Sequence, residues 1–404
     1  MGVKHTVFVT GLGPVSSIGI GRDAFADALF AGRVGTSTIR SFDTDGFRTD
    51  QAGEVHDFAA EQICKNVTAE RYGRSSLLAA AAARLAVEDA GLGQGDLDGS
   101  RIAVCMGTTS GESQEMEKAT AEYLITTPGR ISAEVASKLP AQRIGEAVVD
   151  ELDAPHAEDY TFSTACSASN YSIAFGSLLI ESGKADIAIV GGADSVCRWA
   201  HAGFYRLGAM SPDVCRPFDA HREGMLTAEG GVALVLESEE HARARGRDAL
   251  ATVLGAGINC DADHMVAPNR ESVARCIRLA QERAGVTPAQ VDYICAHGTG
   301  TKANDVTESS AIADVFGPAA PPVSSIKSML GHTMGAASGF GAVACVLGLL
   351  RQLCPPTVNF RELGSEIPLT NVVANSAQPA RLDVVENHGF AFGGNNAIVL
   401  FGRA

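Results

Sequence analysis

One cysteine stands where a strand-like run gives way to small residues that favour a helix, in Asp159-Tyr-Thr-Phe-Ser-Thr-Ala-Cys166-Ser-Ala-Ser-Asn-Tyr-Ser-Ile-Ala-Phe-Gly176. The first N–H groups of a helix are unpaired and lie at the positive end of its dipole, so they favour negative charge. We therefore expect the pKa of the Cys166 thiol to fall below its free value of about 8.5, which predicts a nucleophile. The alternative is a buried, inert thiol, because most free cysteines pack as small hydrophobic residues.

Two histidines and a lysine lie in the second half of the chain, in His297-Gly-Thr-Gly-Thr301 and Ser324-Ser-Ile-Lys327-Ser-Met-Leu-Gly-His332. Each taken alone has a structural explanation. His297 and His332 fit hydrogen-bonded core histidines, and Lys327 fits a surface lysine. Their occurrence together with Cys166 favours a catalytic group of thiol, imidazoles and ammonium.

A divergent internal repeat must position these residues. Each half has a strand-like run that opens into glycines, a long helical run that ends at a glycine, a second strand and a closing buried-type strand. The paired segments are 6–13 and 251–257, 76–91 and 273–285, 101–107 and 291–297, and 231–236 and 396–400. Strands that alternate with helices predict an α/β fold with helices on both faces of the sheets.

The repeat divides the chain into residues 1–250, with the nucleophile, and residues 251–404, with the histidines and the lysine. We expect the two halves to pack as layers rather than as independent domains. Related halves usually meet about a pseudo-twofold axis, so the helix that begins near Cys166 should face the segment of Lys327 and His332. His297 ends a strand, and ligands gather at strand ends in α/β sheets.

Composition limits the class of protein. The chain has 404 residues and a net charge of −15, which argues against nucleic acid and anionic membranes as partners. No apolar run reaches the ~20 residues of a membrane helix, and the N-terminus enters a strand rather than a signal peptide. The ten cysteines show no Cys-x-x-Cys spacing and no clustering with histidine, so we expect neither a metal site nor disulfides. These features predict a cytoplasmic enzyme.

The motifs resemble the β-ketoacyl synthase (ketosynthase) family of the thiolase superfamily. Within it, they are similar to the elongating condensing enzymes of type II fatty acid synthesis and to ketosynthase subunits of type II polyketide systems. The similar motifs are Val9-Thr-Gly-Leu-Gly13, Thr164-Ala-Cys166-Ser, Val190-Gly-Gly-Ala-Asp194, Arg216-Pro-Phe-Asp219, Ala296-His-Gly-Thr-Gly-Thr301, Ser325-Ile-Lys-Ser-Met-Leu-Gly-His332 and Phe390-Ala-Phe-Gly-Gly-Asn-Asn396. The resemblance implies the thiolase fold, a duplicated five-layer αβαβα arrangement, usually in a dimer.

It also implies decarboxylative Claisen condensation. An acyl group passes from the phosphopantetheine arm of an acyl carrier protein to Cys166, with the backbone N–H groups of Cys166 and Phe392 as the oxyanion hole. Malonyl carrier protein then loses CO2, and His297 and His332 stabilise the enolate, whose carbon attacks the acyl-Cys166 thioester to give β-ketoacyl carrier protein. The resemblance pairs Lys327 with Glu308 in support of the histidines. It implies no bound cofactor and no metal.

Further roles rest on the same resemblance. Thr299 and Thr301 resemble the hydroxyls that bind the pantetheine amides, although fixing a tight turn is an equal alternative. Phe392, between small residues, resembles the gate of a mobile loop, although a glycine-rich loop also fits a strained turn. The remaining implied residues are Met106 and Phe204 as walls of the acyl pocket, and Arg71, Arg74 and Arg130 as a basic rim for the carrier protein. The alternatives are ordinary core packing for the two apolar residues and solvated surface for the three arginines.

The stretch after the nucleophile, Ser167-Ala-Ser-Asn-Tyr171, resembles ketosynthases of specialised metabolism and favours polyketide or polyene assembly. Asn170 and Tyr171 are expected to alter what lies beneath the thiol. Such synthases often pair with a chain-length-factor subunit that lacks the cysteine, so both a homodimer and a heterodimer are open.

Three alternative functions remain to be weighed. One is a non-elongating, chain-length-factor-like partner subunit, which the presence of all four catalytic side chains disfavours. A thiolase normally has a second cysteine in its last glycine loop, and residues 389–396 contain none. A nicotinamide oxidoreductase is disfavoured because Pro14 falls inside the glycine-rich turn that would bind phosphate.

Overall fold

The structure is a computed structural model that describes residues 5–404. Within that range it contains an eleven-stranded mixed sheet and two two-stranded ribbons. The strands are β1 (Val7–Ser16), β2 (Gly19–Ile20), β3 (Ser37–Thr38), β4 (Gln51–Ala52), β5 (Ile102–Gly107), β6 (Glu158–Phe162), β7 (Ile187–Asp194), β8 (Gly230–Ser238), β9 (Ala251–Cys260), β10 (Tyr293–Cys295), β11 (Val323–Ser324), β12 (Leu353–Cys354), β13 (Gln378–Pro379), β14 (Val384–Phe390) and β15 (Asn395–Gly402).

Thirteen α-helices lie within the same described range. They are α1 (Arg22–Phe30), α2 (Arg74–Ala90), α3 (Gln94–Asp98), α4 (Ser113–Ala121), α5 (Ala133–Lys138), α6 (Arg143–Leu152), α7 (Ala168–Glu181), α8 (Arg198–Arg206), α9 (Glu239–Ala244), α10 (Arg270–Ala284), α11 (Lys302–Phe316), α12 (Lys327–Leu330) and α13 (Ala337–Arg351). As the glycines predict, α2 and α10 end at Gly91 and Gly285, which take the left-handed conformation.

The large sheet repeats one topology. Its first half has the order β6-β5-β7-β8-β1, and its second half has the order β11-β10-β14-β15-β9. In each half the first three strands are parallel, and the last two run antiparallel to their neighbours. Val7–Val9 pairs with Ala251–Val253, so the two half-sheets form one hydrogen-bonded sheet through β1 and β9.

Three apolar clusters separate five layers. One lies between the first half-sheet and the outer helices α2 and α6, and another lies between the second half-sheet and α10 and α11. The largest surrounds α7 and α13, which lie between the half-sheets. This arrangement confirms the duplicated αβαβα thiolase fold. The segment Met334–Arg351 is apolar enough to span a membrane by length and composition, but 89% of it is buried, so it is a core helix.

Glycines in β1 and β9 allow the outer helices to approach closely. A Cβ on Gly13 would lie 1.9 Å from the Ala82 carbonyl oxygen of α2, and one on Gly11 would lie 2.1 Å from that of Ala86. Gly255 and Gly257 meet α10 in the same way, at Ala284 and Ala280. The glycine-rich run of β1 is therefore strand that packs on a helix, not a phosphate-binding turn.

We predict that Gly13→Ala destabilises the protein by about 3 kcal/mol or more, because the new methyl group overlaps helix backbone that cannot move independently. The matched control is Gly95→Ala, since nothing lies within 4 Å of a Cβ at that helical position. It should be neutral or stabilising by up to about 1 kcal/mol. Urea denaturation followed by circular dichroism compares the two variants, and equal midpoints would refute the packing argument.

Candidate active site

Two equivalent turns form the centre of the molecule. In the first half, Ala165 takes a φ of 52° and begins the 3₁₀ turn Ala165–Ser167, which leads into α7. In the second half, Met334 takes a φ of 51° and begins the 3₁₀ turn Met334–Ala336, which leads into α13. Cys166 and Gly335 thus hold equivalent positions, as the sequence repeat predicts.

Side-chain hydrogen bonds fix the two turns against each other. The Ser169 hydroxyl donates to the Gly335 carbonyl at 2.6 Å, and the Asn170 backbone N–H donates to the Ser338 hydroxyl at 3.0 Å. The buried Asn170 amide also exchanges hydrogen bonds with Asn387 and donates to the Ala397 carbonyl at 2.9 Å. Asn170 therefore ties α7 to the second half of the protein.

Asp194 adds a charged link between the halves. It ends β7, is fully buried, and accepts hydrogen bonds from the Thr108 hydroxyl and from the backbone N–H groups of Thr109, Ser110 and Gly335, all at 2.7–2.9 Å. Burial raises its pKa to about 6. The sequence places Asp194 in a family motif, but its bond to the second-half turn becomes visible only in the fold.

Three of the five predicted catalytic residues line one cavity of about 790 Å³, whereas Lys327 and Glu308 are not among its lining residues. Cys166 lies on its wall together with His297 and His332, whose ring centres are 5.6 Å apart. The two ring planes are nearly perpendicular, at 82°. One thiol from the first half therefore shares a space with two imidazoles from the second half.

The thiol of Cys166 is more deeply buried than the sequence argument assumed, with only 5% of the residue exposed. Burial raises its pKa to about 11, and the negative charge of Asp194 adds to that effect. The ammonium of Lys327 and the backbone N–H groups of Phe392 and Cys166 lower the pKa, but by less. The expectation of a lowered pKa was therefore wrong, because desolvation outweighs the helix terminus and the nearby cation.

Their surroundings favour the neutral form of both histidines. Burial lowers both pKa values well below 6.5, and the nearby Lys327 ammonium lowers them further. The Met334 backbone N–H donates to Nδ1 of His332 at 3.0 Å, so the proton of that neutral ring is on Nε2. Nδ1 of His297 is buried and has no hydrogen-bond partner within residues 5–404.

Lys327 and Glu308 do not form the direct ion pair that the resemblance implied. The Lys327 ammonium instead donates to the His297 carbonyl. Glu308 accepts from the N–H groups of His297 and Gly298, both at 2.7 Å, and its ion-pair partner is Nδ1 of His388 at 3.3 Å. Burial lowers the pKa of Lys327. The charges of Cys295 and Glu308 oppose that lowering but are smaller effects.

His388 is the main residue that the sequence reasoning missed. Its ring is fully buried between Glu308 and Glu386, and Nε2 lies 3.1 Å from the Glu386 carboxylate. These two carboxylates raise its pKa to about 9 against the opposing effect of burial. The available signal was the run Glu386-Asn387-His388, which is polar although it lies in the buried strand β14.

The remaining cavity residues are placed unevenly. Thr299 and Thr301 line the cavity and share a hydrogen bond of 2.8 Å between their hydroxyls. Phe392 is 36% exposed, and its ring centre lies 5.9 Å from that of Phe204, another lining residue. The prediction for Met106 was wrong. Strand alternation points it to the outer cluster against α2, away from the cavity.

The predicted basic rim is also misplaced. Arg74 is held by two hydrogen bonds to Glu229, Arg71 pairs with Asp150, and neither these two nor Arg130 lines the cavity. The exposed cations that do line it are Arg48, Arg206 and Lys302. Within residues 5–404 none of these three has a salt-bridge partner, so their charge is free to attract an anionic partner.

Comparison with known proteins places the chain in a family. Residues 4–242 match the N-terminal domain of beta-ketoacyl synthases, and residues 250–361 match their C-terminal domain. The chain belongs to the beta-ketoacyl synthase family. It is an acyltransferase of the ketosynthase type. The thiol and the two imidazoles in one cavity are the groups that such a reaction uses.

Among its relatives, a polyketide beta-ketoacyl synthase of Streptomyces cyaneus is 36% identical over 100% of this chain and 99% of that protein. The solved ishigamide ketosynthase/chain length factor matches with a TM-score of 0.97 at 47% identity, covering 99% of this chain and 100% of that one. A type II polyketide ketosynthase solved with its acyl carrier protein matches with a TM-score of 0.91 at 28% identity, covering 99% of this chain and 100% of that one.

The buried thiol gives a pH prediction. Because its pKa is about 11, the thiolate fraction of Cys166 and its rate of alkylation should rise about tenfold per pH unit between pH 7 and 9.5. Iodoacetamide labelling followed by peptide mass spectrometry measures this rate at each pH. The exposed Cys260 is the internal control for reagent access. A rate that reaches a plateau below pH 8 would contradict the burial argument.

Proposed function

We propose that this ketosynthase condenses an acyl group held on Cys166 with a malonyl group, both delivered on the phosphopantetheine arm of acyl carrier proteins. The observation that carries the proposal is the shared cavity of Cys166, His297 and His332. The product is a β-ketoacyl carrier protein. No bound cofactor is needed, since loss of CO2 supplies the carbanion.

In the first step the Cys166 sulfur attacks the acyl thioester. An S–acyl bond forms, the bond to the pantetheine sulfur breaks, and the carrier thiol leaves. The backbone N–H groups of Phe392 and Cys166 lower the pKa of the thiol, so both act on the sulfur, which supports them as donors to the oxyanion that forms beside it. Because the resting thiol is protonated, its proton must leave as the bond forms. A neutral imidazole in the cavity is the available acceptor, and it passes the proton to the departing carrier sulfur, so the carrier leaves as a thiol and the imidazole is neutral again.

In the second step the C–C bond of the malonyl group breaks, CO2 leaves and its electron pair forms an enolate. Neutral imidazoles donate hydrogen bonds to the enolate oxygen, for which His332 has its Nε2–H available. The carbanion attacks the acyl-Cys166 thioester and the cysteine leaves as thiolate. Lys327 supports both steps, because its charge stabilises the thiolate and keeps the imidazoles neutral.

Cys166→Ala should abolish acyl loading, because no other group in the cavity replaces the sulfur. His297→Ala and His332→Ala should lower malonyl decarboxylation by about 10²- to 10³-fold and loading by much less, since each removes one donor to the enolate. Intact-mass spectrometry measures the acyl adduct, and release of labelled CO2 measures decarboxylation. Normal adduct formation by Cys166→Ala would refute the assignment of the nucleophile.

The carrier protein is proposed to dock at the cavity opening. Acyl carrier proteins are acidic, and the three unpaired cations at this opening carry positive charge on a protein of net charge −15. Thr299 and Thr301 lie inside, where their hydroxyls would meet the amides of the pantetheine arm. Phe392 would act as the gate between the arm and the acyl pocket, which Phe204 borders.

The double variant Arg206→Glu/Lys302→Glu should raise KM for the carrier-bound substrate by about tenfold or more and weaken its salt dependence, while kcat is retained. Arg71→Glu is the matched control, since this exposed arginine lies outside the cavity lining. Steady-state kinetics at several salt concentrations test both. Equal KM changes in the control would place the carrier site elsewhere.

We also propose a dimer, formed either by two copies or with a chain-length-factor-like subunit. Its support is the exposed sheet edge at β6 and the exposed apolar side chains Tyr123, Leu124 and Ile125 on the π-helical turn after α4. The resemblance to a ketosynthase/chain length factor favours polyketide or polyene assembly over fatty acid synthesis. Ten free cysteines fit the reducing cytoplasm.

A further inference from the structure

A chain of buried polar side chains crosses the second half behind the cavity. Gln281 on α10 donates to Glu386 at 2.7 Å, and Glu386 contacts Nε2 of His388 at 3.1 Å. Nδ1 of His388 contacts Glu308 at 3.3 Å. Glu308 in turn accepts the backbone N–H groups of His297 and Gly298. Of these hydrogen-bonded residues, the mechanism proposed above uses only His297.

The contacts of His388 favour a charged ring. Each ring nitrogen faces a carboxylate oxygen, and a neutral imidazole has only one N–H. Both oxygens of Glu308 already accept, Oε1 from the His297 N–H and Oε2 from the Gly298 N–H and the Asn304 amide. Glu308 thus accepts at both oxygens, and Oε1 of Glu386 accepts from the Gln281 amide. An imidazolium satisfies every contact.

We propose that His388 is a positioning residue for the condensation proposed above, whose imidazolium neutralises Glu308 and so fixes that carboxylate on the backbone of His297 and Gly298. Because the Glu308 carboxylate is paired with His388, the Lys327 ammonium donates to the His297 carbonyl instead. The His297 residue is then held from both sides, by a carboxylate at its N–H and an ammonium at its C=O. Its ring orientation in the cavity follows from that clamp.

The charge of His388 also acts on the His297 ring directly. The groups around His388 are Glu308 on α11, Glu386 on β14, Cys295 on β10 and the His297 ring. Together with burial, Lys327 and His332, the positive charge of His388 keeps the pKa of His297 low. Removal of that charge should therefore raise the pKa of His297 and move the acid limb of the decarboxylation profile to higher pH.

The experiment compares His388→Gln with Glu386→Gln in the full-length enzyme, with malonyl carrier protein as substrate. His388→Gln removes the cation, and kcat for decarboxylation should fall about tenfold, with KM nearly unchanged and the acid limb shifted upward. Glu386→Gln leaves the His388–Glu308 contact in place and is the matched control. Its acid limb should stay at the wild-type position. An unshifted acid limb in His388→Gln, or equal shifts in both variants, would overturn the proposal.

A measurement on the wild-type protein covers the case in which His388→Gln does not fold. Nitrogen-15 spectra of histidine-labelled enzyme at pH 7.5 should show one imidazole with both nitrogens protonated that is inaccessible to solvent exchange. If no buried imidazolium is present, the proposal is wrong. Acyl loading of wild-type Cys166 separates the two hypotheses. Absence of loading would refute the condensation itself. Normal loading in the wild type, together with an unshifted acid limb in His388→Gln, would refute only the role of His388.

Discussion

The site depends on the contact between two equivalent turns, one from each half of the chain. Each turn needs a residue with positive φ, Ala165 or Met334, followed by a 3₁₀ turn and a buried helix. Ser169 and Asp194 hold the two turns together by bonds to the carbonyl and N–H of Gly335. Because of this contact, the first half supplies a thiol to a cavity whose imidazoles come from the second half. Neither half alone contains the chemistry.

Burial has opposite consequences for the groups that share this cavity. It raises the pKa of Cys166, which disfavours the thiolate, and it lowers the pKa values of His297 and His332, which favours neutral donors. Lys327 opposes the first effect and strengthens the second. One buried ammonium therefore partly offsets the cost of desolvating the thiol without protonating the imidazoles. This arrangement suits a reaction in which negative charge moves between sulfur and an enolate oxygen.

The sequence predicted those parts of the structure that follow from periodicity and backbone geometry. The repeat, the helix-ending glycines and the meeting of Cys166 with the histidines depend on local patterns and on symmetry between the halves, so they could be read without coordinates. The prediction that Met106 forms a pocket wall was wrong, because resemblance at one position does not tell which face of a strand the side chain occupies. The prediction of a lowered pKa for Cys166 was wrong, because desolvation of the thiol depends on the layers that pack around it. Arg48, Arg206 and Lys302 were missed because they converge only in the folded chain.

His388 was missed for the same reason, because its partners converge only in the folded chain. Those partners also show how four ionisable groups can be buried together behind the histidines. Two carboxylates, Glu308 and Glu386, face the His388 ring, and Glu308 also interacts with the charge of Lys327. Each cation thus has a carboxylate nearby, which offsets part of the cost of burying the set. Close to it, the order of the charges still matters. The Lys327 ammonium lies next to the His297 carbonyl, whereas Glu386 lies beyond His388. Of the four groups, Lys327 is the one whose charge lowers the pKa values of Cys166, His297 and His332 together, and positive charge is the polarity that thiolate and enolate require.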